Sequence, residues 1–262
     1  MIAIVIGGTK GIGECAARCL REQGWEVCTA ARGSGDIRAD IGAPEGRAAI
    51  LREIHERYPD GIDALIANAG IAGMPGKPAS YVLRVNYFGT VAVVEGLYDL
   101  LEKKKGTAAV TISATVGYTQ RTKYFVDQLL TDCGDEERIC AFMDSVSPDN
   151  AMQTVYVSSK FALARWVRRI SASWAARGVI INAVAPGGVD TTIIPDMKTG
   201  PLFETATMAQ PMPTVYYQRD LMRPMDVGAT LAFMVTPAAR GNVGAIIYCD
   251  AGSSAIVDTE RV

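Results

Sequence analysis

The sequence predicts an α/β fold, with a doubly wound parallel sheet of about seven strands and helices on both of its faces. Three observations predict it. Short apolar runs alternate with longer amphipathic stretches along the chain, as strands alternate with helices in such folds. The first apolar run, Ile2–Ile6, leads into the glycine-rich segment GGTKGIG, after which a helical pattern begins. The 262 residues contain no linker and no internal repeat, so we expect a single domain over residues 1–262.

Strands are predicted where apolar runs are short, and helices where apolar residues recur with a period near 3.6. The predicted strands are Ile2–Ile6, Glu26–Ala30, a short one near Ile37, Asp63–Ala67, Ala108–Ser113, Val179–Val184 and Ala245–Cys249. The predicted helices are Ile12–Gln23, Pro44–Tyr58, Tyr81–Lys103, Val155–Ala176 and Pro224–Val235.

Residues 118–153 interrupt the alternation and are predicted to form a helical insertion. Ile139, Phe142, Met143 and Val146 fall on one helix face. Asp135, Glu136 and Glu137 precede that face, where negative charge suits a helix N-terminus. The insertion either packs on its own domain, forms a subunit contact or lines the substrate cleft.

Residues 192–222 form a second interruption, predicted to be a substrate loop. Loops of this length in a compact domain are usually functional. This one is rich in methionine and aromatic residues, which give an adaptable apolar surface. Such a surface suits an apolar ketone or alcohol, or else packs on the domain itself.

Composition limits the classes of function. A formal net charge of −2 gives no electrostatic case for nucleic acid or an anionic membrane as partner. No apolar run reaches transmembrane length and no secretory signal is present, so we expect a cytoplasmic protein. The six cysteines lack CxxC spacing, and the one histidine, His55, lies in a charged helix and is expected to be solvated. We therefore predict no metal site.

The glycine-rich segment predicts a site for a pyrophosphate. Gly7, Gly11 and Gly13 follow the first strand directly and open the first helix. Glycines let the backbone approach a ligand closely, and a helix N-terminus offers unpaired N–H groups and a positive dipole end. A flexible turn without a ligand is the alternative, but its place directly after the first strand argues against it.

Tyr156 and Lys160 stand four residues apart in a predicted helix, so their side chains lie on one face. A phenol with a pKa of about 10 is a poor acid at neutral pH. A neighbouring cation lowers that pKa, and the pair can then exchange a proton with an alcohol or a carbonyl.

Together these elements resemble the short-chain dehydrogenase/reductase family over essentially the full length of the chain. The resemblance is carried by GGTKGIG, Asp40-Ile41, Asn68-Ala69-Gly70, Asn86 in VNYFG, the Tyr156/Lys160 pair, and Pro186-Gly187 with Thr191. Within the family the chain is most similar to the bacterial 3α-hydroxysteroid dehydrogenase/carbonyl reductase group. The resemblance implies a Rossmann-like fold, a nicotinamide cofactor and the interconversion of a secondary alcohol and a ketone. It also implies a hydroxysteroid, bile acid or other apolar carbonyl as substrate.

The resemblance also implies roles for individual residues. Tyr156 would be the general acid/base, Lys160 would lower its pKa and hold the nicotinamide ribose, and Asn86 would help hold a water beside Lys160. The cofactor would be bound by Gly7, Thr9, Lys10, Gly11, Ile12 and Gly13, by Asp40 and Ile41 at the adenine, by Asn68, Ala69 and Gly70, and by Pro186, Gly187, Val189 and Thr191 at the nicotinamide end.

One position departs from the family pattern. The family places a serine at the end of strand five, and the matching residue here is Ala114, which cannot donate a hydrogen bond. Three explanations stay open at this point. Ser113 or Thr115 reaches the site through a local bulge, the reaction relies on Tyr156 alone as in enoyl reductases, or the alanine is an engineered substitution.

The end of strand two predicts NADP(H) in preference to NAD(H). An acidic residue there would accept hydrogen bonds from the ribose 2′-hydroxyl and repel a 2′-phosphate. This chain has Ala31 at that position, followed by Arg32. Arg32 and Lys10 are predicted to bind the phosphate, with Arg38 as a weaker third candidate.

Two other functions compete with alcohol oxidation or ketone reduction. Ala114 keeps open the reduction of an activated C=C bond, and a non-catalytic nucleotide-binding protein could use the same fold. Retention of Tyr156, Lys160 and Asn86 argues against the latter. The family also implies a homo-oligomer, either a homodimer or a homotetramer.

Overall fold

The computed structural model describes residues 1–72, 77–114, 134–145, 148–191 and 221–257, with the backbone alone for 148–154. Seven parallel strands form one sheet in the order β3-β2-β1-β4-β5-β6-β7. The strands are β1 (Ile2–Ile6), β2 (Glu26–Ala31), β3 (Ile37–Arg38), β4 (Ala64–Ala67), β5 (Thr107–Thr111), β6 (Ile180–Pro186) and β7 (Ile246–Cys249). The doubly wound α/β fold predicted from the sequence is confirmed.

Helices cover both faces of this sheet. They are α1 (Gly11–Glu22), α2 (Pro44–Arg57), α3 (Ser80–Leu83), a π-helical turn (Arg84–Gly89), α4 (Thr90–Gly96), α5 (Tyr98–Lys104), α6 (Glu136–Ser145), α7 (Pro148–Ala176), α8 (Pro224–Met234), a 3₁₀ turn (Pro237–Ala239) and α9 (Ser253–Val257). Strand side chains alternate between two apolar cores, so that Ile4 lies in one and Val5 in the other.

The strand order reverses direction at β1, because the chain passes from β1 outward to β3 and then returns to β4 on the other side. Register is fixed by the central strand, in which Ile4 pairs with Cys28 of β2 and with Leu65 of β4. In open parallel sheets the crevice beyond the carboxyl ends of the strands at such a point is where ligands bind.

The predicted long helix Tyr81–Lys103 is not a single α-helix. Residues Arg84–Gly89 form a π turn, and the helix breaks again at Leu97, which has φ −105° and ψ 5°. A π turn changes the hydrogen-bond register of the helix, and here Thr90 Oγ1 donates to the Val85 carbonyl at 3.4 Å. Such turns occur frequently at functional sites.

The inserted helix exists, but its buried face differs from the predicted one. Ile139 and Met143 are buried as expected, whereas Phe142 is 42% exposed. Cys140 is buried in its place, because the helix face against the domain is centred on Ile139, Cys140 and Met143. Val146 lies outside the described residues. The Tyr156 helix also begins earlier than predicted, at Pro148 instead of Val155.

Candidate active site

The glycine turn between β1 and α1 packs tightly against the end of β4. A Cβ atom on Gly13 would overlap the carbonyl of Gly7, and one on Gly7 would lie 2.7 Å from the backbone nitrogen of Ala69. Residues with side chains are thereby excluded from both positions. The turn thus leaves open backbone at the N-terminus of α1, with Lys10 as the N-cap residue, Thr9 before it and Ile12 in the first turn.

Asn68 joins the ends of three neighbouring strands. Its backbone N–H donates to Ile6 at 2.9 Å, and its side-chain amide donates to the Gly7 carbonyl at 3.4 Å. Its side-chain oxygen accepts a hydrogen bond from the Thr111 hydroxyl at 2.9 Å. Sequence reasoning missed Thr111, although a polar residue at the end of an otherwise apolar strand was a usable signal.

Gly70, Asn86 and Lys160 lie together near the carboxyl ends of these strands. A Cβ atom on Gly70 would be 3.0 Å from Lys160 Nζ and 3.4 Å from Asn86 Oδ1. Asn86, in the π turn, accepts a hydrogen bond from Ile71 N at 2.8 Å and donates to the Ile71 carbonyl at 2.9 Å. It also donates to Ser159 Oγ at 3.3 Å. Asn86 therefore fixes the segment that follows β4 against the Tyr156 helix.

Tyr156 and Lys160, both on α7, face the carboxyl end of β5. Lys160 is buried, and its Nζ donates to the Thr111 carbonyl at 3.2 Å. Burial lowers the pKa of this ammonium group to about 8. The Tyr156 side chain is only partly exposed and is hydrogen-bonded to Ser113.

Burial raises the pKa of the Tyr156 phenol, and the hydrogen bond from Ser113 acts in the opposite direction. The expectation that Lys160 lowers this pKa is therefore not met, because loss of hydration opposes the charged form of both groups. The two side chains do lie on one face of the helix, as expected from their spacing. Tyr156 contacts Ser113 and Lys160 contacts Thr111, both at the carboxyl end of β5.

Ser113, and not Ala114, is the residue that contacts the phenol. Ala114 is completely buried, and its N–H donates to the Pro186 carbonyl at 2.7 Å, which ties this segment to β6. β5 ends at Thr111, but the segment stays beside β6, since Ile112 N also donates to the Val184 carbonyl at 2.8 Å. Thr115 lies outside the described residues.

The segment after β6 closes the other side of the crevice. Pro186 ends β6, and Gly187 N donates to the Cys249 carbonyl at 3.2 Å. Val189 forms an isolated parallel bridge with Met222. Beyond it, the Thr191 methyl group lies 3.4 Å from the position that a Cβ on Gly11 would take. Of the residues predicted for the nicotinamide end, Thr191 therefore lies against the glycine turn.

Two of the residues predicted for the adenosine end, Arg32 and Asp40, are linked by hydrogen bonds through Tyr81. Arg32 is exposed, and its Nη1 donates to the Tyr81 hydroxyl at 3.4 Å. The Tyr81 hydroxyl donates to Asp40 Oδ2 at 2.5 Å, and Asp40 Oδ1 accepts from Gly42 N at 2.8 Å. Tyr81 was not foreseen. The Ile41 side chain is packed in the core, which leaves its backbone as the part that would border an adenine.

Other classes of site find no support in the part of the chain that the structure describes. It holds no group of three or more His, Cys, Asp or Glu side chains placed to bind a metal ion. His55 is only half-exposed, and its ring contacts the Leu51 carbonyl at 2.8 Å and Asp99 at 3.0 Å. Within the same residues no helix is long and apolar enough to span a membrane.

Comparison with known proteins places these features in one family. Residues 1–126 match the family model described as short chain dehydrogenase, and residues 140–254 match the one described as Enoyl-(Acyl carrier protein) reductase. The chain is 26% identical over 256 residues to 3-alpha-hydroxysteroid dehydrogenase/carbonyl reductase of Comamonas testosteroni, covering 98% of this chain and 97% of the relative. It is 27% identical over 272 residues to cis-4-hydroxycyclohexanecarboxylate dehydrogenase of Sinomonas cyclohexanicum, covering 97% of each.

Among solved structures, the chain is similar to the 3-alpha-hydroxysteroid dehydrogenase from Pseudomonas sp. B-0831 complexed with NADH. The TM-score is 0.90 at 28% identity, with 100% of both chains covered. The two family models, these relatives and the parallel sheet all indicate the same family. The chain belongs to the short-chain dehydrogenase/reductase family of oxidoreductases, whose Rossmann fold binds a nicotinamide cofactor.

Proposed function

We propose that this protein interconverts a secondary alcohol and a ketone with NADP(H), acting on a hydroxysteroid, bile acid or other apolar carbonyl compound. The observation that carries the proposal is the hydrogen bond between Ser113 and the Tyr156 phenol, with the Lys160 ammonium one helical turn away. The Ser113 and Tyr156 hydroxyl groups lie close together, so both can donate hydrogen bonds to one carbonyl oxygen, which accepts two. The similarity to hydroxysteroid and cyclic hydroxy acid dehydrogenases supports the substrate class.

The described residues fit a nicotinamide dinucleotide. Backbone crowding at Gly7 and Gly13 leaves a side-chain-free surface at the start of α1, where a pyrophosphate would lie. Lys160 would hold the nicotinamide ribose, and the segment Pro186–Thr191 would border the nicotinamide. When bound, the cofactor donates or accepts the hydride, while the protein orients the substrate and transfers the proton.

The proton passes through the Tyr156 hydroxyl in this proposal. During ketone reduction the phenol gives its proton to the substrate oxygen as negative charge develops there, and Ser113 donates a second hydrogen bond. Lys160, with a pKa of about 8, gains and loses a proton near neutral pH. It can therefore support the return of a proton to Tyr156 between turnovers, with Asn86 holding the adjoining backbone.

We also propose that NADP(H) is preferred over NAD(H). Ala31 offers no carboxylate at the end of β2, and the exposed cations Arg32 and Lys10 follow β2 and β1. Each charge-assisted contact to a 2′-phosphate contributes about 1.5–3 kcal/mol, so we expect kcat/KM to be about tenfold to a thousandfold higher with NADP. The similar structure complexed with NADH shows that this fold also accepts the cofactor without the phosphate.

Arg32→Ala is expected to reduce the ratio of kcat/KM for NADP over NAD by about tenfold, because one charged contact is lost. Steady-state kinetics with both cofactors measures this ratio. Arg240→Ala is the matched control, because Arg240 is also exposed but contacts the Lys105 carbonyl, which precedes β5 at the amino end of the strands, away from the cofactor crevice. A higher kcat/KM with NAD in the unmodified protein would refute the proposed preference.

A panel of hydroxysteroids, small polar ketones and enoyl thioesters tests the substrate class. We expect turnover of the steroids. The second candidate, reduction of an activated C=C bond, is favoured by the enoyl reductase description of residues 140–254 and by Ala114. Turnover of enoyl thioesters alone would establish that candidate, and cofactor binding without any turnover would indicate a non-catalytic protein. The proposed substrate loop, 192–222, lies almost wholly outside the described residues.

We further propose a homodimer or homotetramer. Helix α6 lies against α3 and the π turn, part of the surface through which the family commonly associates. Within the described residues β7 is an edge strand, and Phe233, Val243 and Tyr248 on or near it are exposed. This edge is therefore the proposed contact. Light scattering measures the mass in solution, and a monomeric mass would contradict the proposal.

A further inference from the structure

Arg47 of α2 is a buried guanidinium group with four hydrogen bonds. Only 8% of the residue is exposed. Nε donates to the Ile41 carbonyl at 2.6 Å, and Nη2 donates to the Arg84 carbonyl at 3.1 Å. Nη1 and Nη2 bind the two carboxylate oxygens of Glu136 at 2.6 and 2.8 Å. This two-pronged pairing with a carboxylate sets the orientation of the guanidinium plane, which a single contact would not do.

The backbone that Arg47 contacts through Nε has little freedom to move. A Cβ atom on Gly46 would overlap the Asp40 carbonyl, and one on Gly89 would overlap the Ile41 carbonyl. The turn at Asp40 and Ile41 is therefore enclosed between α2 and the π turn. Its position is set by these contacts and by the hydrogen bond that Arg47 supplies to a backbone carbonyl.

Glu136 brings the insertion into this arrangement. It is the first residue of α6, and besides Arg47 it binds Arg84 Nη1 at 3.0 Å. Arg84 also pairs with Glu137 at 2.9 Å. At the far end of the same helix, Asp144 accepts hydrogen bonds from the backbone and hydroxyl of Ser80 at 3.1 and 2.7 Å. Helix α6 is thus fixed at both ends, and one end holds Arg47.

We propose that Arg47 is a positioning residue for the adenosine half of the cofactor and that Glu136 of the insertion keeps it in place. The proposal rests on the proposed function, in which a nicotinamide dinucleotide binds, and on the placement of its adenine beside Asp40 and Ile41 that the family resemblance implies. Arg47 hydrogen-bonds to the Ile41 carbonyl, and in this proposal it acts on the ligand only through that turn. Helix α6 of the insertion thereby influences the adenosine half of the dinucleotide through Arg47.

Arg47→Lys would keep the positive charge but lose the planar guanidinium group with its several N–H donors. Lysine cannot supply Nε to Ile41 and two parallel N–H groups to Glu136 at the same time. We expect Arg47→Lys to weaken binding of 5′-AMP about tenfold, since about one charge-assisted hydrogen bond is lost. Binding of nicotinamide mononucleotide, which lacks adenosine, is expected to stay within about twofold. Glu136→Gln is expected to weaken 5′-AMP binding about threefold.

The test measures displacement of NADPH or NADH, whichever the unmodified protein binds more tightly, by each mononucleotide, following the fluorescence of the bound dinucleotide. Far-UV circular dichroism and thermal melting confirm that each variant is folded at the assay temperature. Arg84→Met is the matched control. It removes pairs with Glu136 and Glu137 and leaves the Nε contact to Ile41 in place, so 5′-AMP binding should be unchanged.

The outcomes separate this inference from the proposed function. If 5′-AMP fails to displace the dinucleotide from the unmodified protein, the adenosine placement is wrong and this inference falls, whereas the proposed function is judged separately by turnover of the substrate panel. If 5′-AMP competes but Arg47→Lys changes neither mononucleotide, or weakens both equally, Arg47 has only a structural role. If Arg47→Lys does not fold, Glu136→Gln decides by the same comparison. An effect of Arg84→Met equal to that of Glu136→Gln would also overturn the proposal.

Discussion

Tyr156→Phe is expected to lower kcat about 10²- to 10⁴-fold, because the variant has no proton to give to the substrate oxygen. The phenylalanine ring keeps the shape of the side chain, so the Kd of the cofactor should stay within about twofold. Steady-state and single-turnover kinetics, with cofactor titration by fluorescence, measure the two quantities separately.

Tyr98→Phe is the matched control for this variant. The Tyr98 hydroxyl donates to Glu102 on α5 at 3.2 Å, so its loss removes a phenolic hydrogen bond that belongs to a different element from Tyr156. We expect kcat to be unchanged. If Tyr156→Phe retained full kcat, another group would have to be the acid, and the proposed chemistry would be wrong.

Ser113→Ala is expected to lower kcat about 10²- to 10³-fold, the usual effect of removing a hydrogen-bond donor from a developing oxyanion. The reciprocal change, Ala114→Ser, is expected to leave kcat unchanged or reduced, because position 114 is completely buried. The pair thus tests which of two adjacent positions performs the role that the family pattern assigns to serine.

The opposite pattern of kcat values in the two variants would assign the role to position 114. A gain in kcat in Ala114→Ser, with no loss in Ser113→Ala, would show that position 114 faces the substrate and that Ala114 is a missing donor. Enoyl thioester turnover measured on the same two variants would then show whether the site relies on Tyr156 alone.

Strand positions, the glycine turn and the Tyr156/Lys160 spacing could be predicted from the sequence, because each depends on residues close together along the chain. Every predicted strand is present, and Gly7 and Gly13 are closely packed as a pyrophosphate turn requires. The choice between Ser113 and Ala114 could not be predicted. The family pattern indicated position 114, whereas the contact to the phenol depends on how the residues beyond Thr111 meet a helix far along the chain.

Arg47 could not have been singled out from the sequence. Its three acceptor residues lie 6, 37 and 89 positions away along the chain, in segments that only the folded protein brings together. In the segment PEGRAAIL it has the pattern of an ordinary surface residue of an amphipathic helix. The exposure of Phe142 has a similar origin, since helical periodicity gives an apolar face but not the rotation of the helix against its neighbour.

The anchoring of α6 at both ends constrains how this chain could be shortened. Removing the segment would strip Glu136 from Arg47 and leave a buried positive charge without its counter-ion, which typically costs about 3–5 kcal/mol. A viable deletion would have to replace the arginine with a neutral residue in the same step. Arginine and helix α6 are therefore one unit for protein engineering, to be altered together although they are far apart along the polypeptide.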